Sequence, residues 1–412
     1  MFSKLIRNAR ARKFLGLLIL LMLMLWSFTL PNNSWAQGRM LIKPYLNAGW
    51  EYDDNYHRSD TNEKEVHTYF IQPGLEFGYT TDKTLVSLDY YADVQRYDDQ
   101  DDYLPGESTA EDHDYVGHSF DFTAQAQITR RLLIGVDDLF LKTRDPANAD
   151  RNSNAVDRFK YYLNSFSPRM VYNFGDKLGV SLKYTNLLTD YINDDVNEGE
   201  DSLENRGTLK FFYYFTPKTS LDLDYQYWTR DYDKTTSDYD SQQLMVNFNK
   251  QFNVFTFSAG AGYHQRDFDK AVPNGDIDRF VWQLAVLGEN PPKGEGPVRT
   301  SMYLAVGSNL NDSGSGETYY ESTRLDFSLS HLFMRKINCT LAGWFQNSDY
   351  ETSDREDDRW LASLAVDYLI NDYLSAGIEG GYEERDSSEA NLDFEKQYLM
   401  FNIRCNYDLG SR

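Results

Sequence analysis

Only two cysteines occur in the 412 residues, Cys339 and Cys405. Both are far from the N-terminal leader, which excludes a lipoprotein anchor at the leader's end. Long apolar runs are missing after about residue 30, and none approaches the roughly 20 residues a spanning helix needs. A helical membrane protein is thereby excluded. Histidine is scarce: six residues, none in a metal-binding or nucleophile motif. An enzyme is therefore not expected, nor is a cofactor or a metal. His113 and Asp114 imitate the pair of an outer-rim hydrolase, but neighbours on one strand point to opposite faces. Cations are few, 41 Lys and Arg against 64 Asp and Glu, for a formal charge of −23. That balance repels phosphate backbones and excludes nucleic acid as a partner.

The chain begins with a basic segment (Lys4, Arg7, Arg10, Arg12, Lys13), an apolar stretch from Phe14 to Phe28, a break at Pro31 and the small-residue step Ser34-Trp35-Ala36. This reads as a secretory signal peptide over residues 1–36, cleaved before Gln37. Removing its five cations leaves a mature chain of about −28. Acidity of that size fits disorder only where aromatics are rare. Here they make up 15%, with 31 Tyr and 25 Phe. Tyr and Trp are the side chains that anchor a β-barrel at both membrane interfaces.

From residue 40 onward the dominant signal is alternation. Val86, Leu88, Tyr90, Ala92 and Val94 share one face of a strand, and Ser87, Asp89, Tyr91 and Asp93 the other. The same pattern recurs from Phe120 to Ile128, from Phe255 to His264 and from Leu399 to Tyr407. Two kinds of connection separate the strands. The short kind includes Thr81-Asp82-Lys83, Thr129-Arg130-Arg131, Gly175-Asp176-Lys177, Thr216-Pro217-Lys218, Asn249-Lys250-Gln251, Met334-Arg335-Lys336 and Ile370-Asn371-Asp372, with Asn290 to Pro297 as an eighth. The long kind is polar and mostly acidic, as in Asp98 to Asp114, Asp190 to Glu204 and Glu383 to Glu395. Eight short turns and nine long loops require eighteen strands, with sixteen as the alternative. The expectation is an all-β, transmembrane antiparallel β-barrel over residues 37–412. Both termini and the short turns lie on the periplasmic side, and the long loops outside. A soluble sandwich or propeller gives similar alternation. Strand length, loop asymmetry and the absence of a clean blade repeat favour the barrel.

Several strands leave through similar endings: Tyr227-Trp228-Thr229-Arg230-Asp231, Tyr263-His264-Gln265-Arg266-Asp267 and Tyr382-Glu383-Glu384-Arg385-Asp386. An aromatic followed by Arg-Asp suggests a ring at headgroup depth and charges in water or sugar. The acidic tips Asp98 to Asp102 and Glu356 to Asp358 lack the Gly and terminal Glu of a calcium loop, and at most share bridging cations with lipopolysaccharide.

Near the start of the mature chain stands Pro44-Tyr45-Leu46-Asn47-Ala48-Gly49-Trp50-Glu51-Tyr52-Asp53-Asp54-Asn55-Tyr56. This segment resembles the opening of a family of porin-like outer-membrane barrels often encoded beside exopolysaccharide or exosortase gene clusters. The resemblance implies a channel for export of surface polysaccharide. It implies no catalytic residues. Tyr407, followed by Leu409 and Gly410-Ser411-Arg412, departs from the terminal aromatic on which barrel proteins usually end.

If the apolar faces meet lipid, the opposite faces line the lumen. Candidate lumen acids are Asp89, Asp93 and Asp121 on the third and fourth strands, Asp222 and Asp224 on the ninth, and Glu379 and Glu383 on the seventeenth. Candidate cations are Lys183, Lys210, Arg266, Arg279, Arg299, Arg324 and Arg404. Acids and cations on opposed walls would set up a transverse field. Tyr91, Trp228, Tyr303 and Tyr398 are candidates for stacking on sugar rings. The loop from Lys142 to Lys160, with Arg144, Arg151 and Arg158, is the least acidic long loop and the candidate for an infolded constriction. Cys339 and Cys405 fall on the lipid faces of strands 15 and 18, which are not neighbours, so no disulfide is expected. The functional reading is a porin-like channel in the outer membrane of a Gram-negative bacterium, for polysaccharide export. A general small-solute diffusion porin and a non-conducting surface adhesin or structural barrel are the alternatives. Expected partners are outer-membrane lipid and lipopolysaccharide, the barrel-insertion machinery, and, for export, polysaccharide with periplasmic export components.

Overall fold

In lipid every backbone N–H and C=O must find a partner within the protein, and a β-sheet meets that demand only by closing on itself. The computed structural model describes residues 38–103, 109–145, 158–192, 200–234, 236–269, 276–291, 298–311, 319–350 and 353–409. Residues 1–36, read from the sequence as a signal peptide, lie outside them. Eighteen strands run in chain order: β1 (Arg39–Asp53), β2 (Val66–Thr80), β3 (Thr84–Asp99), β4 (Tyr115–Gln127), β5 (Leu132–Thr143), β6 (Tyr161–Asn173), β7 (Leu178–Tyr191), β8 (Ser202–Thr216) and β9 (Thr219–Tyr232). They continue as β10 (Tyr239–Gln251), β11 (Phe255–Phe268), β12 (Ile277–Asn290), β13 (Thr300–Asn311), β14 (Tyr320–Phe333), β15 (Ile337–Tyr350), β16 (Glu356–Asn371), β17 (Leu374–Ser387) and β18 (Phe394–Asn406). Each pairs antiparallel with its chain neighbours, and β1 pairs with both β2 and β18, which closes the sheet. The count of eighteen is settled in favour of the turn-based reading over sixteen. Past β18 the backbone still ladders onto β1, Tyr407 N–H donating to Pro44 O at 3.0 Å and Leu409 N–H to Ile42 O at 2.8 Å.

Cross-strand partners share a face, so the register divides every strand into a lipid set and a lumen set. On β10, Leu244 and Val246 are exposed to the outside, while Gln243, Met245 and Asn247 face in. Exposed aromatics cluster at the short-turn end, where Tyr213 and Phe215, Phe252 and Phe255, and Tyr373 and Tyr407 pair with ring centroids 4.9, 4.3 and 5.5 Å apart. They form the girdle of the periplasmic interface. Two turns sit slightly later than the sequence suggests. β10 runs through Gln251, so residues 252–254 make the turn, and β16 runs through Asn371. In both places polar residues at the water line continue the ladder, and composition does not mark where pairing stops. Gly262 is a close-approach position: a Cβ there would meet Leu244 O at 2.1 Å.

The lipid face carries polar departures that alternation did not reveal. Asp138, midway along β5, belongs to the outward set through its pairing with Phe122 and Phe166. It is buried there, and Asn164 Nδ2 donates to its Oδ1 at 2.8 Å. On the same face Tyr184 and Asn186 both donate to Asn205 Oδ1. These polar atoms are satisfied locally, which lowers the cost of holding them at the lipid boundary.

Cys339 and Cys405 are free, on β15 and β18, strands separated by two others. The folded barrel should migrate identically on gels with and without reductant, a mobility shift showing that the register is wrong. Gly262→Val should abolish folding of the barrel, read as loss of the compact, heat-sensitive band on unheated gels.

Candidate functional site: the barrel lumen

The inward side chains form two zones. Toward the outer end of the strands they are buried around most of the wall: Tyr97, Tyr161, Trp228, Tyr239, Arg266, Tyr320, Tyr350, Asp357, Glu383 and Phe394 among them. Toward the periplasmic end the inward charges are accessible. There Glu76 is bridged by Lys43 at 3.1 Å and Arg404 at 3.1 Å, and Arg169 pairs with Asp137 at 2.6 Å.

The Arg-Asp strand endings account for the outer zone and correct their first reading. Alternation sends the Asp outward and the Arg inward. Arg266 is only 2% exposed and lies over the Tyr239 ring at 4.1 Å. Arg385 lies over Phe394 at 5.0 Å. The same arrangement holds Arg206 over Trp228 at 4.2 Å, Arg324 over Trp344 at 4.2 Å and Arg355 over Tyr350 at 4.2 Å. A guanidinium is tolerated out of water when a ring face and a carboxylate surround it. The carboxylates are present: Arg355 grips Asp357 through two bonds of 3.0 and 2.6 Å, and Arg359 Nε donates to Glu383 at 2.8 Å. At the closing seam Arg58 reaches Glu383 at 3.2 Å and Lys396 reaches Asp53 at 2.5 Å.

The structure places the remaining candidates as follows. Asp89, on β3, accepts the Tyr45 hydroxyl at 2.9 Å and stands directly opposite Asp121 of β4, which is exposed. Asp93 accepts from Gln72 at 3.0 Å and Gln95 at 2.8 Å. Lys183 is exposed on the inner face of β7. Lys210 pairs with Asp224 at 2.9 Å across β8 and β9. Asp222 accepts from Asn249 at 2.9 Å. Arg279 reaches Glu321 of β14 at 3.4 Å. Glu379 accepts the Tyr398 hydroxyl at 2.8 Å. Arg299 stands just before β13, exposed at the periplasmic rim rather than on the wall. The wall formed by β2 to β5 is acid-rich, with Glu76, Asp89, Asp93, Asp121 and Asp137 all inward. Cations predominate on β6 to β8, where Arg169, Lys183, Arg206 and Lys210 face in.

The four aromatic candidates are spread around the barrel. They stand on β3, β9, β13 and β18. Trp228 is sandwiched between Arg206 and His264, whose ring is 4.9 Å away, and only 4% of it is exposed. Its faces are taken, and it holds the wall together instead of meeting solute.

Sequence reasoning also passed over the uncharged polar residues. A cavity of about 300 Å³ opens in the lumen wall from β8 to β13. It is lined by the Lys210–Asp224 pair, Asp222, and the carboxamides of Gln226, Gln243, Asn247, Asn249, Gln283 and Asn309. Gln283 Nε2 donates to Asn247 Oδ1 at 3.0 Å, and Ser258 Oγ to Asn249 Oδ1 at 2.8 Å. Gly260 leaves the room for this, since a Cβ there would lie 2.2 Å from Asn247 Oδ1. The signal available was the inward series Gln243, Met245, Asn247, Asn249 on one strand.

The loop from Lys142 to Lys160 is anchored in the outer mouth by its two ends, while residues 146–157 and Arg151 lie outside the described residues. Arg144 donates to Arg158 O and His113 O, both at 2.7 Å. Arg158 lies over Tyr56 at 4.3 Å and 3.7 Å from Asp53. His113 closes a short 3-10 turn (Glu111–His113) ahead of β4, so the strand argument against a His113–Asp114 pair does not apply. Asp114 is instead held by Arg96 and the Tyr97 N–H, and the Tyr56 hydroxyl lies 3.3 Å from His113 Nδ1. Burial, then the cations Arg144, Arg158 and Lys160, pushes His113 down to about 4. Burial and Arg158 also lower His57.

Two predictions follow from these groups. Glu383→Leu leaves both Arg359 and Arg58 without their carboxylate and should cost about 3–5 kcal/mol of stability. The variant that also carries Arg359→Met and Arg58→Met should recover much of it, both read by denaturant unfolding. His113 is neutral in the closed mouth, whereas an opened mouth restores its ordinary value of 6.5. The opened form therefore binds the proton first, and the stability of the loop cluster is lost as pH falls from 6.5 toward about 4. Hydrogen exchange at residues 54–58 and 110–114 should show less protection at pH 4.5 than at pH 7, beyond the intrinsic change in rate.

The family comparison agrees with the architecture. Residues 35–407 match the family model described as "Putative beta-barrel porin 2". Among solved structures, OpdK of Pseudomonas aeruginosa, crystallised with vanillate, is 11% identical, with a TM-score of 0.46, 89% of this chain and 99% of that chain being covered. OccAB4 of Acinetobacter baumannii is 11% identical, with a TM-score of 0.47 over 91% of this chain and 100% of that one. No curated protein sequence matches. The chain belongs to the family described as putative beta-barrel porin 2, and is an eighteen-stranded, porin-like β-barrel of the Gram-negative outer membrane.

Proposed function

We propose that the barrel is a diffusion channel for small polar solutes. The observation that carries this reading is the accessible, charged inner wall at the periplasmic end, where Asp121 and Lys183 face in, exposed and without an ion pair among the described residues, while apolar neighbours face out. A lumen that needed only to be filled would bury or neutralise such groups throughout. Eighteen strands are enough to enclose an aqueous passage. The packed Arg–aromatic layer of the outer half would restrict passage to small molecules. On this reading the lipid and lipopolysaccharide of the outer membrane surround the barrel and the insertion machinery installs it. A catalytic role has no carrier in the reading. Export of a surface polysaccharide, with periplasmic export components as partners, is the narrower expectation implied by the first strand. It rests on that resemblance alone. The non-conducting adhesin is the remaining alternative.

Planar-bilayer recording of the refolded barrel tests the reading. Discrete open steps in salt, permeation of small polar solutes into vesicles and exclusion of dextrans are expected. Silent bilayers from folded protein would move the assignment to a surface-binding barrel, and dextran entry would restore the polysaccharide reading. The acid-rich wall from β2 to β5 should also favour cations. Asp89→Asn with Asp121→Asn should shift the reversal potential in a salt gradient toward zero selectivity.

A further inference from the structure

The β12–β13 ladder runs only from Asn290↔Thr300 to Gln283↔Gly307, the periplasmic part of both strands. Up to that point the strands are tightly joined, and a Cβ on Gly307 would meet Trp282 O at 2.8 Å. Beyond it β13 continues in register only with β14, through Ser308↔Thr323 and Asn309↔Ser322. The wall cavity lies at this parting, with Val281 and Gln283 on one side and Ser308 and Asn309 on the other.

Two independent observations at the cleft point to a ligand. Ser308 is 5% exposed, and its Oγ is buried with no hydrogen-bond partner. A buried hydroxyl left unpaired is costly, and a bound molecule that pairs with it offsets that cost. Gln243 and Asn309, which line the cavity, make no side-chain hydrogen bond among the described residues. Their neighbours are already committed: Asn249 to Asp222, Lys210 to Asp224, Gln283 to Asn247.

We propose that this cleft is a binding station for a small, neutral, polyhydroxylated solute. A carboxamide presents a donor and an acceptor side by side, and a hydroxyl both donates and accepts. Charge selects against anions, because Asp222 and Asp224 outnumber the single Lys210. The volume lies at the small end of ligand pockets, which run about 300–1,000 Å³. A small solute fits it, and a polymer in transit does not. As a step in permeation the station rests on the channel reading; as a binding site it does not.

Equilibrium dialysis of the folded full barrel in detergent, with radiolabelled glucose as probe and benzoate as competitor, separates the two. Saturable glucose binding that benzoate leaves untouched is expected. Gln243→Ala with Asn309→Ala should weaken it about tenfold or more, as expected for two lost hydrogen bonds. Ser308→Ala should weaken it without loss of stability, since it removes an unsatisfied group. Glucose binding that is non-saturable, unaffected by both variants, or displaced by benzoate overturns the proposal. Binding intact in a barrel that does not conduct would overturn the channel reading alone.

Discussion

The structure depends on one constraint: a backbone crossing lipid has no water to bond. Closure of β1 on β18 leaves no strand at an open edge of the sheet. It also fixes the two-faced character of each strand, since residues directly opposite each other across a ladder face the same side. From there the chemistry divides. Leu244 and Val246 go to lipid while Gln243 and Asn247 go to the lumen, and an acidic chain becomes a membrane protein by facing its acids inward and placing others in the outer loops.

Enclosing charge creates a second problem, which the two ends of the barrel solve differently. At the periplasmic end water reaches the inward groups, and pairs such as Lys43–Glu76 are partly exposed and contribute little to stability. At the outer end most of the inward groups are buried, and the buried cations are surrounded. Arg359 has Glu383 on one side and the Trp344 ring at 5.2 Å on another. Such networks are costly to break at a single residue, which makes them suited to holding the mouth and the closing seam in one arrangement. The cleft between β12 and β13 lies where backbone pairing lapses, and neutral carboxamides occupy it.

Much of this was legible in the sequence because period-two alternation and loop length are local signals. The turn at Met334-Arg335-Lys336 and the loop from Asp190 to Glu204 mark strand ends wherever the strands later pack. The inward assignment of Asp89, Lys210 and Asp224 followed from alternation alone. What alternation cannot supply is lateral distance. That Trp228 lies beneath Arg206 is set by the register of β8 against β9, and no property of either residue records it. The Arg-Asp endings were read as a solvated rim because composition shows a charge but not the depth at which it is held. Asp138 escaped notice because its satisfying partner, Asn164, is on another strand. The carboxamides of β10 and β12 escaped because they carry no charge.

The central claim is an inner wall that is wet at the periplasmic end and packed at the outer end. Single cysteines in a barrel lacking Cys339 and Cys405, reacted with a charged maleimide in intact membranes, test it directly. Cysteine at Asp89, Asp121 or Lys183 should react, while cysteine at Leu88 or Phe122 in the lipid and at Ser241 or Ser322 in the packed layer should not. Equal reaction on both faces of β3, or no reaction at any inward position, would contradict the account.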